Sequence, residues 1–143
     1  MKIILAWLVM MAAIIGCKSC EGSTYEQDVV IATIILEAGG EYYVGAIEAV
    51  HEVIVNRAMK RNLTPAEVCL QRKQFSCWNE ISVEDGITKA KSHPRWEIAK
   101  RALGRESNYV NGADHYHANY IKSPYWTKSM RKTAVIGRHI FYK

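Results

Sequence analysis

The run Val29-Val30-Ile31-Ala32-Thr33-Ile34-Ile35-Leu36 constrains this chain more than any other segment. It is apolar at nearly every position, which reads as a helix buried among other elements. Glu37 follows it directly, and Ala38-Gly39-Gly40-Glu41 comes next. The glycine pair reads as the stop signal of that helix. A carboxylate at such a place is awkward. Burial disfavours its charged form, and the negative end of the helix dipole pushes the same way. A carboxylic acid held protonated near neutrality is what general-acid chemistry requires. The plain alternative is a solvated glutamate in a last helical turn, and on these residues alone that alternative comes first.

The chain has 143 residues, room for one domain with a real core. Its first segment explains itself. Lys2 is a short positive region, and Ile3 to Ile15 is an apolar stretch too short for a comfortable membrane span. Ile14-Ile15-Gly16-Cys17 then resembles the lipobox of bacterial lipoproteins. The expected organisation is a signal segment over 1–16, a tether over 17–25 beginning at a lipidated Cys17, and a folded domain over 26–143. Export to the cell envelope, on the periplasmic side of a membrane, follows from that reading. The alternatives are a plain secretory signal and an uncleaved anchor.

Export also frames the cysteines. Cys69 and Cys77 flank the polar stretch Leu70 to Ser76, and in an oxidising compartment they are expected to form a disulfide. The bond would remove any thiolate nucleophile for a cysteine peptidase. Net charge is +5 with an isoelectric point near 9.0, which suits an anionic polymer or surface. Export argues against nucleic acid and towards cell wall or anionic lipid.

Helices are expected over Glu26–Glu37 and Tyr43–Lys60, the second from the apolar recurrence of Val44, Ile47, Val50, Ile54, Val55 and Ala58. Its polar face would carry Glu48, Glu52 and Arg57. Thr64-Pro65-Ala66-Glu67 is a capping box with proline at the first helical position, so a third helix starts there. Phe75 to Asn79 reads as a compact loop. A fourth helix opens near Ser92-His93-Pro94-Arg95-Trp96 and ends at Gly104, with Trp96 in the core. Asn111-Gly112 is a turn signal. His115 to Tyr120, Thr133 to Ile136 and His139 to Tyr142 read as strands. Helices first and a small antiparallel sheet later make an α+β domain.

Three constellations could carry chemistry. Glu37 and Glu41 are a carboxylate pair across the glycine break, the residue types of a glycosidase. Trp78, Tyr116 and Trp126, interleaved with Asn79, His115 and His117, offer apolar faces and polar rims for sugar binding. His115 and His117 share one strand face, so a metal site with His139 is conceivable. Hydrogen bonding to substrate or backbone is the preferred role, and no metal or other cofactor is expected.

Taken in order, these segments resemble the SleB-type cell wall hydrolases, the family of the spore cortex-lytic enzymes and their phage and proteobacterial relatives. The segments are Ile35 to Glu41, Val44 to Arg57, Pro65 to Cys69, Gln74 to Asn79, Gly112 to His117, Pro124-Tyr125-Trp126 and Ile136 to Tyr142. The resemblance implies a lysozyme-like fold and cleavage of peptidoglycan glycan strands, with Glu37 as general acid; a monomer is expected. Gly39 stands where relatives often carry a larger residue such as arginine. No separate peptidoglycan-binding repeat is seen, so the lipid anchor would have to localise the enzyme. A lytic transglycosylase needs one catalytic acid/base: Glu37 would protonate the glycosidic oxygen and then, as a carboxylate, help the muramic acid C6 hydroxyl attack C1. A hydrolase needs a second carboxylate, for which Glu41 is the candidate. The transglycosylase is preferred. The competing classes are a non-catalytic peptidoglycan-binding lipoprotein and a metal-dependent amidase built on the histidines.

Overall fold

A computed structural model describes residues 23–143. The signal segment, Cys17 and all but the end of the tether lie outside the described residues. Tyr25, assigned to the tether, already belongs to the first helix.

Helix α1, Tyr25–Ala38, is the axis of the domain. Thr24 opens it with a reciprocal cap: its hydroxyl accepts from Gln27 N, and the Gln27 side chain accepts from Thr24 N. Val29, Ile31, Ala32 and Ile34 are fully enclosed. Each large apolar side chain so buried stabilises the fold by roughly 1.5–3 kcal/mol. Helices α2 (Gly45–Arg61), α3 (Pro65–Leu70), α4 (Val83–Lys91) and α5 (Trp96–Ala102) all pack against α1. The Thr64 capping box and Pro65 start α3 as expected. Asn62 closes α2 in the left-handed region at φ 53°. The Phe75–Asn79 segment contains a short 3-10 turn, Ser76–Asn79.

Helix α4 was not anticipated. Ser82 caps it by accepting from Asp85 N, and the Lys91 ammonium at its last turn meets the buried Asp28 carboxylate of α1 at 2.6 Å. Glu52 also departs from expectation. The pattern of α2 puts it on the solvated face, but it is buried, because its carboxylate gathers the Ser107 hydroxyl and the backbone N–H groups of Tyr109 and Val110. That carboxylate anchors the long connection between α5 and the sheet.

Strands β1 (His115–Ala118), β2 (Lys132–Ile136) and β3 (His139–Tyr142) form one antiparallel sheet in the order β1-β3-β2. The fold is therefore α+β, with a helical body and a small sheet near the C-terminus. Strand β1 ends before Tyr120, because Asn119 N turns to donate to Arg138 O at 2.7 Å. Gly137, at φ 56°, makes the tight β2–β3 turn. Among the described residues no helix is long and apolar enough to cross a membrane.

Candidate active site

Glu37 is carried on the last turn of α1, where the apolar helix leaves the core and meets the sheet. Its carboxylate accepts a 2.8 Å hydrogen bond from the Tyr116 hydroxyl on Oε2 and a 3.3 Å bond from Cys77 N on Oε1. Burial first, and the Glu37 carboxylate second, hold the Tyr116 phenol well above its usual range. It therefore stays protonated and remains a donor. Beside Glu37 opens a cleft of about 600 Å³, lined also by Arg57, Lys73, Tyr116, His117, Trp126 and His139. Glu37 is the one carboxylate among the residues lining it.

Arg57, expected on the solvated face of α2, is buried. Its Nε donates to Asp114 O at 2.6 Å, Nη1 donates to Gln74 O at 3.4 Å, and the guanidinium stands 5.0 Å from the Phe75 ring centroid. This one side chain ties α2, the segment after α3 and the entry to β1 into a single wall of the cleft.

Glu41 stands apart from that lining. Arg138 N donates to its Oε2 and Arg138 Nε to its Oε1, both at 3.1 Å. A Cβ on Gly137 would come 2.6 Å from Glu41 Oε2, so only glycine lets the carboxylate dock into the β2–β3 turn. Its visible role is to fasten the end of α1 to the hairpin.

Cys69 and Cys77 do not form the expected disulfide; both are free thiols. Each thiol lies against α1 instead. The Cys69 thiol meets the Thr33 side chain, and the Cys77 thiol meets Glu37. Burial pushes the Cys69 thiol up to about 12. Burial and the Glu37 carboxylate raise Cys77 further still. Neither is a thiolate near neutrality, so neither is a ready nucleophile.

The sugar-binding candidates divide into two groups. Tyr116, His117 and Trp126 line the cleft. His117 stacks on Tyr142 with centroids 5.5 Å apart, and Trp126 stands edge-on to Tyr142 at 5.4 Å. His115 lies just behind, held by the Asp114 carboxylate at 2.7 Å and facing Trp126 at 5.2 Å. Trp78 instead donates from Nε1 to the Thr33 hydroxyl at 3.1 Å, and Asn79 is exposed; neither lines the cleft. The three histidines also part company. His117 is engaged by Ala118 O and the Tyr142 hydroxyl, while His139 sits against Tyr116. Among the described residues no group of three metal-ligating side chains converges.

Residues 40–142 match the cell wall hydrolase family. The chain belongs to that family. The solved catalytic domain of the germination-specific lytic transglycosylase SleB from Bacillus anthracis is similar to this cell wall hydrolase at TM-score 0.67 and 22% identity. That likeness covers 87% of this chain and 98% of the other. The catalytic domain of the Bacillus cereus SleB protein is similar at TM-score 0.60 and 21% identity, over 87% and 94% of the two chains. These two likenesses establish the fold. Comparison with curated protein sequences returns no match. The family match begins three residues after Glu37, so Glu37 rests on its place in the fold and the cleft.

Arg57, Lys73 and His139 are cleft residues that the sequence did not single out as sugar-binding. In the sequence His139 stands out only as a conceivable metal ligand, and Arg57 only as a polar-face residue at the end of a resembling segment. Gly39 is buried, and a Cβ there would lie 2.5 Å from Ile35 O and 3.2 Å from His93 Cε1. A large side chain at this position would have to displace His93.

Proposed function

We propose that this cell wall hydrolase cleaves the glycan strands of peptidoglycan as a lytic transglycosylase, with Glu37 as the acid. The observation that carries the proposal is the single carboxylate in the cleft, fixed at 2.8 Å by a tyrosine that stays protonated. A hydrolase that activates water needs a second carboxylate facing the sugar. Glu41, the candidate for that role, has both oxygens committed to Arg138.

In the proposed reaction Glu37 gives its proton to the glycosidic oxygen as the bond to C1 breaks. The C6 hydroxyl of the same muramic acid attacks C1, closing an anhydro ring, and its proton leaves to a base in the cleft. Glu37, now a carboxylate, faces the positive charge building at C1. Trp126, His117 and Tyr116 supply aromatic faces and polar edges for the strand. The basic balance of the chain suits an anionic wall polymer. Such a substrate would put the working enzyme outside the cytoplasm, and the likeness to the Bacillus anthracis lytic transglycosylase SleB supports the same reaction.

The deciding experiment is mass spectrometry of muropeptides released from purified sacculi. The unmodified domain is expected to yield anhydro-muramic ends. Glu37→Gln is expected to keep its fold and lose activity by about 10²-fold or more, the usual contribution of a positioned acid. Sacculus clearing by Glu37→Gln at the wild-type rate would overturn the assignment. Free stem peptides would point to an amidase, and reducing ends to hydrolysis.

A further inference from the structure

His139 opens β3, the central strand, opposite Ala118 of β1 and Ile136 of β2. It is 7% exposed. Its Nδ1 is the one enclosed side-chain nitrogen or oxygen without a hydrogen-bond partner among the described residues. Such an atom is costly unless something uses it. Glu41 Oε1 lies 3.9 Å from it. That is too long for a hydrogen bond but within the reach of a charge contact. A carboxylate oxygen faces a proton far better than it faces a lone pair. Glu41 therefore favours the tautomer with the proton on Nδ1, leaving Nε2 bare. His139 lines the cleft and its enclosed nitrogen is Nδ1, which leaves Nε2 as the ring nitrogen available to the cleft.

The surroundings place this imidazole beside the acid. Its ring meets Tyr116 edge-on, centroids 5.0 Å apart, and the Tyr116 hydroxyl holds Glu37. The charged groups that bear on it are Glu41 after α1, Glu37 on α1 and Arg138 in the β2–β3 turn. Burial, the strongest influence, outweighs the two carboxylates and holds the ring below the usual histidine range, hence neutral.

We infer that His139 and Glu41 form a carboxylate–imidazole pair that presents an unprotonated Nε2 to the cleft, and that Nε2 receives the proton of the attacking C6 hydroxyl. This rests on the peptidoglycan reading above. The step balances. Glu37 loses one proton to the leaving oxygen, the C1–O bond breaks, and the C6 oxygen forms the new bond to C1. The hydroxyl proton passes to Nε2, and the imidazolium, steadied by Glu41, returns one proton to Glu37 through solvent. Glu37 is then free to face the cationic centre without also serving as base. Glu41 becomes a positioning residue rather than a second catalytic carboxylate.

Two measurements test the pair. Long-range proton–nitrogen NMR of the His139 ring in the unmodified domain reads the tautomer without any turnover. The Nδ1–H form with a bare Nε2 is expected at neutral pH; the Nε2–H form overturns the proposal. The pH profile of kcat/KM on sacculi is then compared with that of His139→Gln, after circular dichroism confirms that the variant folds. Activity is expected to fall about 10²-fold or more, mainly in kcat. The acidic limb should vanish while the basic limb stays. A folded variant that keeps the wild-type acidic limb overturns the inference. If the unmodified domain releases no anhydro ends, the fault lies in the peptidoglycan reading, and the tautomer still decides the pair.

Discussion

A hydroxyl and a carboxylate 79 residues apart in the chain meet at 2.8 Å, and that contact defines the site more sharply than Glu37 does alone. A hydrogen bond to a charged group contributes about 1.5–3 kcal/mol. Tyr116→Phe removes it while leaving the ring in place against Phe141 and His139, whose centroids lie 5.5 Å and 5.0 Å away. If the bond orients Glu37 in the transition state, kcat on sacculi should fall about tenfold to a hundredfold. The melting temperature should move by only a few degrees. An unchanged kcat would reduce Tyr116 to packing. The partners of Glu37 were out of reach of the sequence for a plain reason. An apolar helix ending in a glutamate can be read locally, but Tyr116 and Cys77 reach it only after the sheet and the 3-10 turn fold back on α1. The same holds for Arg57, whose place on the amphipathic pattern of α2 gave no hint that Asp114 and Gln74 would draw it inward.

Among the elements, most of those with local start and stop signals were legible; α4, which Ser82 caps three residues before Asp85, was the exception. Thr64-Pro65 starts α3, and Asn111-Gly112 and Gly137 take up left-handed turns as their residue types dictate. Helix α4 offers only a thin apolar side, interrupted by Gly86, and therefore resembles a loop until Trp78 is set against it. That glycine makes a test of the element. Alanine is the better helix former by about 1 kcal/mol, so propensity alone predicts that Gly86→Ala stabilises. A Cβ there would stand 2.4 Å from Trp78 Cζ3, however, and the Trp78 ring is held by its bond to Thr33. Overpacking of this kind costs about 1–3 kcal/mol. Gly86→Ala should therefore lower the thermal midpoint by several degrees and weaken the tryptophan fluorescence signature of the folded state. A raised midpoint would mean that the ring yields freely.

At the scale of the whole molecule, the buried titratable groups predict a stability optimum near neutrality and a loss on either side. His51 and His139 are both held below 6.5, by burial first, against the pull of nearby glutamates. The unfolded chain therefore binds more protons than the folded one as pH drops below 6.5, and stability falls with it. Asp114 adds a lower step. Burial alone would raise it, but hydrogen bonds from Lys60 and His115 prevail and leave it below its ordinary 3.8. Its contribution is present above that value and is lost as pH falls through the folded pKa. On the alkaline side the sign reverses. Cys69 and Cys77 are raised above their ordinary 9.0 by burial, so the unfolded thiols ionise first and stability declines as pH climbs past that point. Thermal midpoints measured from acid to alkali should thus level off between about pH 7 and 8.5. They should fall on going to pH 5, fall more steeply below pH 4, and fall again above pH 9. His51→Gln should shrink the step between pH 7 and 5 and leave the one below pH 4 intact. A midpoint that rises between pH 7 and 5 would show that these two histidines bind their protons at least as readily in the folded state, and the neutral imidazole assigned to His139 would fall with it.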